Sequence, residues 1–195
     1  GSEMCIRDRL KGAGPSETIV DALGASNRVF LVTSAGRSRF EDMTVRNGLA
    51  QLGAGLYIVS SMAAISNCVL SDNTLTGSYC YGGAVYASGG ALALLDTLVR
   101  SNGNAQSTDQ CKYGGGVYGY GCNVWLSGAR FEENFLRGVN LMWGAGLAVY
   151  KGSLAACSSA FVSNRLINSL RMQAAGIYAN NTSPALVSNC LFQAN

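Results

Sequence analysis

The sequence predicts an all-β fold built as a solenoid of parallel strands, and two repeating features with an alternating pattern between them support this prediction. A triplet of small residues begins at positions 53, 82, 114, 144 and 174, so successive starts lie 29, 32, 30 and 30 residues apart. An asparagine follows each start after 20 residues, or after 21 in the last case. Apolar residues alternate with other residues in between, and no 3.6-residue period is sustained. A constant unit joined by connections of variable length is typical of a solenoid.

Three columns of equivalent residues follow from this repeat. The small triplets are Gly53–Gly55, Gly82–Ala84, Gly114–Gly116, Gly144–Gly146 and Ala174–Gly176. The asparagines are Asn73, Asn102, Asn134, Asn164 and Asn195. The aliphatic residues that follow the triplets are Leu56, Val85, Val117, Leu147 and Ile177. Because equivalent strand residues stack about 4.8 Å apart, we expect the aliphatic column to fill the interior and the asparagines to form an internal ladder at a bend. The triplets allow positive φ at a corner.

The composition excludes several classes of protein. Of the 195 residues, 48% are hydrophobic and only 13% are charged, which argues against disorder and against a coiled coil. The net charge of +3 is too small for a nucleic-acid footprint. The absence of histidine removes Ser-His-Asp and Cys-His nucleophile pairs and the commonest transition-metal ligand. The apolar runs are too short to predict a membrane-spanning helix.

Several segments resemble a known repeat. The segments 43–48, 53–57 and 65–73 read MTVRNG, GAGLY and ISNCVLSDN. They are similar to the "TIRNG…GGGIY…LTISNCTFSGN" repeat of extracellular right-handed parallel β-helix proteins, which share the pectin-lyase-like fold. The GGAVY at 82–86 and the FxxN at 131–134, 161–164 and 192–195 resemble the GGAI and FxxN repeats of polymorphic outer membrane proteins. The resemblance covers residues 19–195 and implies a single-stranded right-handed parallel β-helix of about six coils of about 30 residues.

The chain is expected to divide at residue 18. Residues 1–18 are predicted to be a non-native or disordered tail, because their opening GSEMCIRDR matches neither a signal peptide nor the repeat. Residues 19–195 form the predicted β-helix. Since the sequence ends on the last residue of a repeat, we expect it to be a fragment of a longer solenoid.

A row of tyrosines is the predicted ligand-binding feature. Tyr57, Tyr86, Tyr118 and Tyr178 share one repeat position, and the alternation points them away from the core. An exposed row of aromatic rings can stack on sugar rings or pack against a protein. The alternative is that these rings belong to the repeat and stack on one another for stability.

Two acidic residues form a second, weaker candidate site. Asp72 and Glu133 share the repeat position before the asparagine, with Ser101 between them. Such a column can serve catalysis or calcium binding, and the alternative is an ordinary solvated face. No catalytic residue, metal site or cofactor is predicted.

The cysteines and two sequons favour an extracellular or cell-surface location. Cys80 and Cys111 lie in the connections of neighbouring coils and form the favoured disulfide, with Cys111–Cys122 as the competing pair. Asn180 and Asn181 begin overlapping N-glycosylation sequons, in a stretch after Tyr178 that is expected to be a loop.

The sequence thus predicts a non-catalytic extracellular or cell-surface β-helix segment that acts in adhesion or in glycan or protein binding. Its expected partners are a polysaccharide, a cell-surface protein and flanking coils of the same chain, with no nucleic acid and no membrane span. One alternative is a fragment of a polysaccharide lyase or glycoside hydrolase, and another is a purely structural spacer.

Overall fold

A computed structural model describes residues 7–24, 27–34, 36–104, 112–138, 141–168 and 171–195. Within these ranges the regular structure is entirely β, and no helix is long and apolar enough to cross a membrane. The strands are β1 Arg7–Lys11, β2 Ile19–Asp21, β3 Phe30–Thr33, β4 Arg37–Glu41, β5 Thr44–Arg46, β6 Leu49–Ala50, β7 Leu56–Ser66, β8 Val69–Ser71, β9 Thr74–Leu75, β10 Val85–Leu95, β11 Leu98–Arg100, β12 Gly103–Asn104, β13 Val117–Tyr120, β14 Asn123–Ser127, β15 Arg130–Glu132, β16 Phe135–Arg137, β17 Leu141–Trp143, β18 Leu147–Cys157, β19 Ala160–Val162, β20 Arg165–Ile167, β21 Arg171–Gln173, β22 Ile177–Ser188 and β23 Leu191–Gln193.

The described strands stack into parallel sheets that run along one solenoid axis. The long sheet follows the order β1-β4-β7-β10-β13-β18-β14, with β3 beside β7 and β22 beside β18. The short sheet takes one strand from each turn, in the order β2-β5-β8-β11-β15-β19-β23. Smaller sheets, β6-β9-β12, β16-β20 and β17-β21, complete the turns. This architecture confirms the predicted all-β parallel solenoid of about six turns.

The interior is filled by the columns that the alternation predicted. Leu56, Val85, Val117 and Leu147 are each 0% exposed. On the opposite wall, the short sheet points Leu70, Val99, Phe131 and Phe161 inward, all fully buried. The rings of Phe131 and Phe161 stack 4.7 Å apart at an interplanar angle of 9°. Burying one such apolar side chain contributes about 1.5–3 kcal/mol, so stacked columns supply much of the stability of each turn.

The asparagines form the predicted ladder inside the bend after the short sheet. The Nδ2 of Asn134 donates to the Oδ1 of Asn164 at 2.9 Å and to the carbonyl of Val99 at 2.8 Å. Its Oδ1 accepts from both the backbone N–H and the Nδ2 of Asn102. The same pattern joins Asn73 to Asn102 and Asn164 to Asn195. The side chains of Asn73, Asn102, Asn134 and Asn164 are fully buried and therefore satisfy polar groups of two neighbouring turns where no solvent reaches.

Residues with positive φ make the corners between sheets. The first residue of each small triplet has φ between 54° and 66°, including Ala174 at 55°, where the other turns have glycine. The positions of Asp72, Ser101, Glu133 and Ser163 also lie in the left-handed region, at 53–56°. The triplets therefore form corners, as predicted, and the repeat keeps one backbone conformation at each corner.

The structure differs from the predicted tail at residues 7–18. Strand β1 pairs with β4 from Arg7 to Lys11, and Leu10 lies in register with Phe40. Glu41 accepts from Arg9, and Lys11 lies 3.7 Å from Asp42. Within the predicted tail, residues 7–11 therefore add one more strand to the long sheet, and a non-native origin of the tail stays a prediction.

Candidate functional site

The long sheet bends at its middle, which divides its outer face into two halves. The bend falls at Ser60, Gly89, Gly121 and Lys151, all with positive φ between 50° and 68°. The first half comprises the strand residues before this bend, and the second half comprises those after it. Since each residue in register repeats once a turn, the outward side chains form separate columns on each half.

The first half carries the predicted tyrosine row. Tyr57, Tyr86 and Tyr118 lie in register, followed by Ala148 and then Tyr178. Tyr57 and Tyr86 stack at 5.2 Å with an interplanar angle of 7°, and Tyr86 lies 5.8 Å from Tyr118. Parallel stacking of this kind occupies the ring faces and presents ring edges and hydroxyl groups to solvent.

A second aromatic row covers the middle of the first. Tyr81, Tyr113 and Trp143 pair with one another as bridges at the corner between sheets. Tyr118 packs against Tyr81 at 5.3 Å and Tyr113 at 5.1 Å, and is only 6% exposed. Burial raises the pKa of the Tyr118 hydroxyl. Trp143 stacks on Tyr113 at 4.6 Å and reaches Tyr178 at 5.9 Å, which bridges the gap at Ala148.

This packing bears on the predicted ligand-binding role of the tyrosines. Tyr57, Tyr86 and Tyr178 are partly exposed, whereas Tyr118 has no free ring face. The geometry favours the alternative in which the row stabilises the solenoid, and ligand binding at these four residues stays a prediction. The sequence does not show that Tyr118 is covered, because the connections that carry Tyr81 and Tyr113 vary in length.

The acidic column brings no second carboxylate close to Asp72, which lines a shallow pocket with Arg46 and Arg100. Asp72 and Glu133 are exposed and separated by two turns, about 10 Å, with Ser101 between them. The adjacent Glu132 forms an ion pair with Arg130. In the described ranges, no cluster of three or more metal-ligating residues occurs. The role predicted for Asp72 and Glu133 therefore stays a prediction.

The cysteines separate into one disulfide partner and several free thiols. Cys80 is disulfide-bonded, whereas Cys111, its predicted partner, lies outside the described residues. Cys122 is a free thiol and only 1% exposed, which excludes the competing Cys111–Cys122 pair. Cys68 is free and buried. The Cys80–Cys111 bond itself stays a prediction.

Both sequon asparagines are exposed. Asn180 and Asn181 lie inside β22 at the bend of the long sheet, not in a loop as the sequence suggested. The reason is that the long strand passes through the left-handed region at Asn181, with φ of 50°, and then continues. The Asn180 Nδ2 donates to the Tyr178 hydroxyl at 2.9 Å. Glycosylation at either residue stays a prediction.

The second half carries a groove that the sequence analysis missed, here called the alanine groove. Its volume is about 580 Å³. The outward side chains that line it are Arg37, Arg39, Met62, Ala64, Ala91, Ala93, Asn123, Trp125, Ser153 and Ala155. These residues form two register columns across five turns of the sheet. A concave, largely apolar surface of this size is typical of ligand sites.

Trp125 is the most exposed large hydrophobic side chain in the alanine groove, at 59%. Its register neighbours on both sides are alanines, Ala93 and Ala155, and it stacks on no other described ring. Among the described residues, no ring stacks on either face of the indole, in contrast to the stacked tyrosines. Alternation along Asn123–Ser127 places Val124 and Leu126 inward and Trp125 outward, so the sequence contained this signal.

The N-terminal end of the alanine groove is basic. Arg37 and Arg39 project from β4 beside Met62 and Ala64. In the part of the chain that the structure describes, neither arginine has a carboxylate partner, whereas Arg9 in the neighbouring strand pairs with Glu41. Two unpaired guanidinium groups beside an apolar floor provide charge-assisted hydrogen-bond donors for an anionic group.

Comparisons with known proteins agree with the architecture described above. No curated protein and no solved structure matches the chain. A sequence model of the family described as "Right handed beta helix region" matches residues 28–195, which spans all turns from β3 onward. The repeat, the parallel sheets and this match lead to one assignment: the chain belongs to the right-handed β-helix family.

Proposed function

We propose that the chain is a non-catalytic binding segment of an extracellular or cell-surface β-helix protein that acts in adhesion. Its contact surface is the alanine groove on the second half of the long sheet. The observation that carries this proposal is Trp125, an exposed indole whose register neighbours are alanines and on which no described ring stacks. The groove contains one tryptophan, one methionine and two arginines, and these residue types are enriched at binding surfaces.

Three features support the extracellular or cell-surface location. The GGAVY and FxxN motifs resemble those of polymorphic outer membrane proteins and of extracellular pectin-lyase-like proteins. Cys80 is disulfide-bonded, and structural disulfides are typical of oxidising compartments. Asn180 and Asn181 are exposed where a secreted chain can be modified.

Binding is favoured over catalysis by the chemistry of the alanine groove. Its lining contains two arginines, an asparagine and serines, but no carboxylate. Glycoside hydrolysis requires a pair of carboxyl groups on either side of the scissile bond. Asp72 and Glu133 lie on a different face of the solenoid, after the short sheet. The groove thus offers contact area and orientation for a ligand rather than an acid and a base.

The proposal is tested with arrays of purified glycans and cell-surface proteins. Wild-type chain is compared with Trp125→Ala and with Tyr120→Ala, a matched change on the first half, where Tyr120 is 39% exposed. We expect at least one ligand whose signal falls about tenfold or more with Trp125→Ala and is retained with Tyr120→Ala. Absence of any ligand that depends on Trp125 would leave a structural spacer. Release of new reducing or unsaturated sugar ends would establish an enzyme instead.

A further inference from the structure

The alanine groove has the width of an α-helix. Met62 and Trp125 project from strands β7 and β14, which lie on either side of β10, so the two side chains stand about 10 Å apart across the sheet. Between them, Ala91 and Ala93 form a low floor on β10. An α-helix with its side chains is about 10–12 Å in diameter. The three residues Ala91–Ala93, which line the groove on β10, span about 10 Å, the length of about two helical turns.

The backbone of the sheet excludes an extended peptide as the occupant. In the second half, β10 pairs with β7 on one side and β14 on the other, so its N–H and C=O groups are used in the ladders. An extended segment laid on this face would lose backbone hydrogen bonds to water and gain none from the sheet. A helix satisfies its own backbone and needs only side-chain contacts.

The polar groups of the groove also disfavour a sugar chain over its floor. Asn123 and Ser153 bond to each other, with the Ser153 hydroxyl donating to Asn123 Oδ1 at 2.9 Å. The remaining side chains between Met62 and Trp125 are alanines. Sugar hydroxyls placed there would find few partners, and burying them unpaired is costly. Apolar helix side chains would fill the same floor without this cost.

From this geometry we propose that the alanine groove binds an amphipathic α-helix of a partner protein, which contacts the sheet over about two turns and is acidic on one flank. This inference rests on the proposed function and names the partner class of the same site. The apolar face of the helix lies on Ala91 and Ala93, with Trp125 against one side. Its acidic flank lies toward Arg37 and Arg39, which have no ion pair in the described ranges.

The test uses a library of helices displayed on a stable three-helix scaffold, with one outer face randomised. Wild-type chain serves as the bait, and the selected binders are measured against four variants of the chain. Trp125→Ala removes one wall, Ala91→Gln raises the floor, and the double variant Arg37→Glu and Arg39→Glu reverses the charge. Tyr120→Ala is the matched control on the first half.

The expected binders carry apolar residues at i, i+3, i+4 and i+7 and acidic residues on one flank. Trp125→Ala and Ala91→Gln each weaken them about tenfold or more, and Tyr120→Ala leaves affinity within about twofold. Charge reversal at Arg37 and Arg39 weakens binding, and replacing the acidic residues of the binder with lysine restores it. Binders whose affinity changes neither with Trp125→Ala nor with charge reversal at the arginines would overturn the inference.

The experiment distinguishes failure of the inference that the partner is a helix from failure of the proposed binding function. If only oligosaccharides or extended peptides bind in a Trp125-dependent manner, the helix inference is wrong and the binding function stands. If no helix, saccharide or protein probe depends on Trp125, both are wrong.

Discussion

At the scale of single residues, the asparagine ladder shows how one side chain joins two turns. Asn134 is fully buried, and its side chain makes four hydrogen bonds, two as donor and two as acceptor. The sequence was enough to predict this ladder, because the asparagines recur at a constant distance from the triplets. It did not reveal which backbone groups they satisfy, since these lie in other turns.

Replacing Asn134 with alanine is expected to destabilise the chain by about 3 kcal/mol or more. The change leaves the Asn102 N–H and Nδ2, the Val99 carbonyl and the Asn164 Oδ1 without this partner in a dry interior. Urea unfolding measures the loss. The control is Asn123→Ala, at an exposed asparagine, which should change stability by less than about 0.5 kcal/mol. Equal effects of the two variants would contradict the ladder's role.

The corner before the long sheet offers a reciprocal pair of substitutions at one repeat position. Gly114 has φ of 62°, and an added Cβ would lie 2.3 Å from the Val117 carbonyl oxygen. Gly114→Ala should therefore destabilise by about 1–2 kcal/mol or more. Ala174 already holds φ of 55°, so Ala174→Gly should stabilise by up to about 1 kcal/mol. Shifts of the same sign in urea unfolding would show that the corner does not require this conformation.

The buried thiol of Cys122 is expected to make the stability of the fold decrease at alkaline pH. Burial raises the pKa of its thiol from 9.0 to about 12, so the folded chain keeps a proton that the unfolded chain releases above pH 9. The contribution of this thiol to the free energy of unfolding is complete below pH 9. It is lost as the pH rises from about 9 to 12. In Cys122→Ala, urea midpoints should fall less steeply over that window than in the wild type. Identical slopes would mean that Cys122 does not titrate with unfolding.

At the scale of elements, the two halves of the long sheet use their outer faces differently. The first half covers itself with stacked rings, whereas the second half leaves alanines and one indole open. Inward and outward positions could be predicted from alternation within β7 and β10. The bend that forms the alanine groove could not, because it depends on backbone conformation at Ser60 and Gly89. The tyrosines could be recognised because they recur at one repeat position, whereas Trp125 has no tryptophan at the same position in other turns.

Substitution of Tyr118 tests whether the tyrosine row stabilises the solenoid. Tyr118→Ala should destabilise the chain by about 3 kcal/mol, because the ring is 6% exposed and packs against Tyr81 and Tyr113. Tyr120→Ala, at the exposed neighbouring column, should cost much less. Thermal and urea unfolding of both variants compare the two losses. Wild-type stability of the Tyr118→Ala variant would contradict a structural role of the row and would favour its role as a binding surface.

At the scale of the whole molecule, the solenoid provides a rigid frame for an extended contact surface. Equivalent side chains repeat at about the strand spacing, so the alanine groove and its arginines keep fixed positions across five turns. Fold and core could be predicted from the repeat alone. The contact surface required the structure, because it is defined by which neighbours a side chain lacks.

The central claim is that the second half of the long sheet is open and that Trp125 has no partner on it. The most direct measurement is acrylamide quenching of the Trp143→Phe variant, in which Trp125 is the single tryptophan. We predict that its fluorescence is quenched nearly as efficiently as in the urea-unfolded chain, since the side chain is 59% exposed and flanked by alanines. Strong protection of Trp125 in the folded chain would show that this face is already covered and would contradict the account.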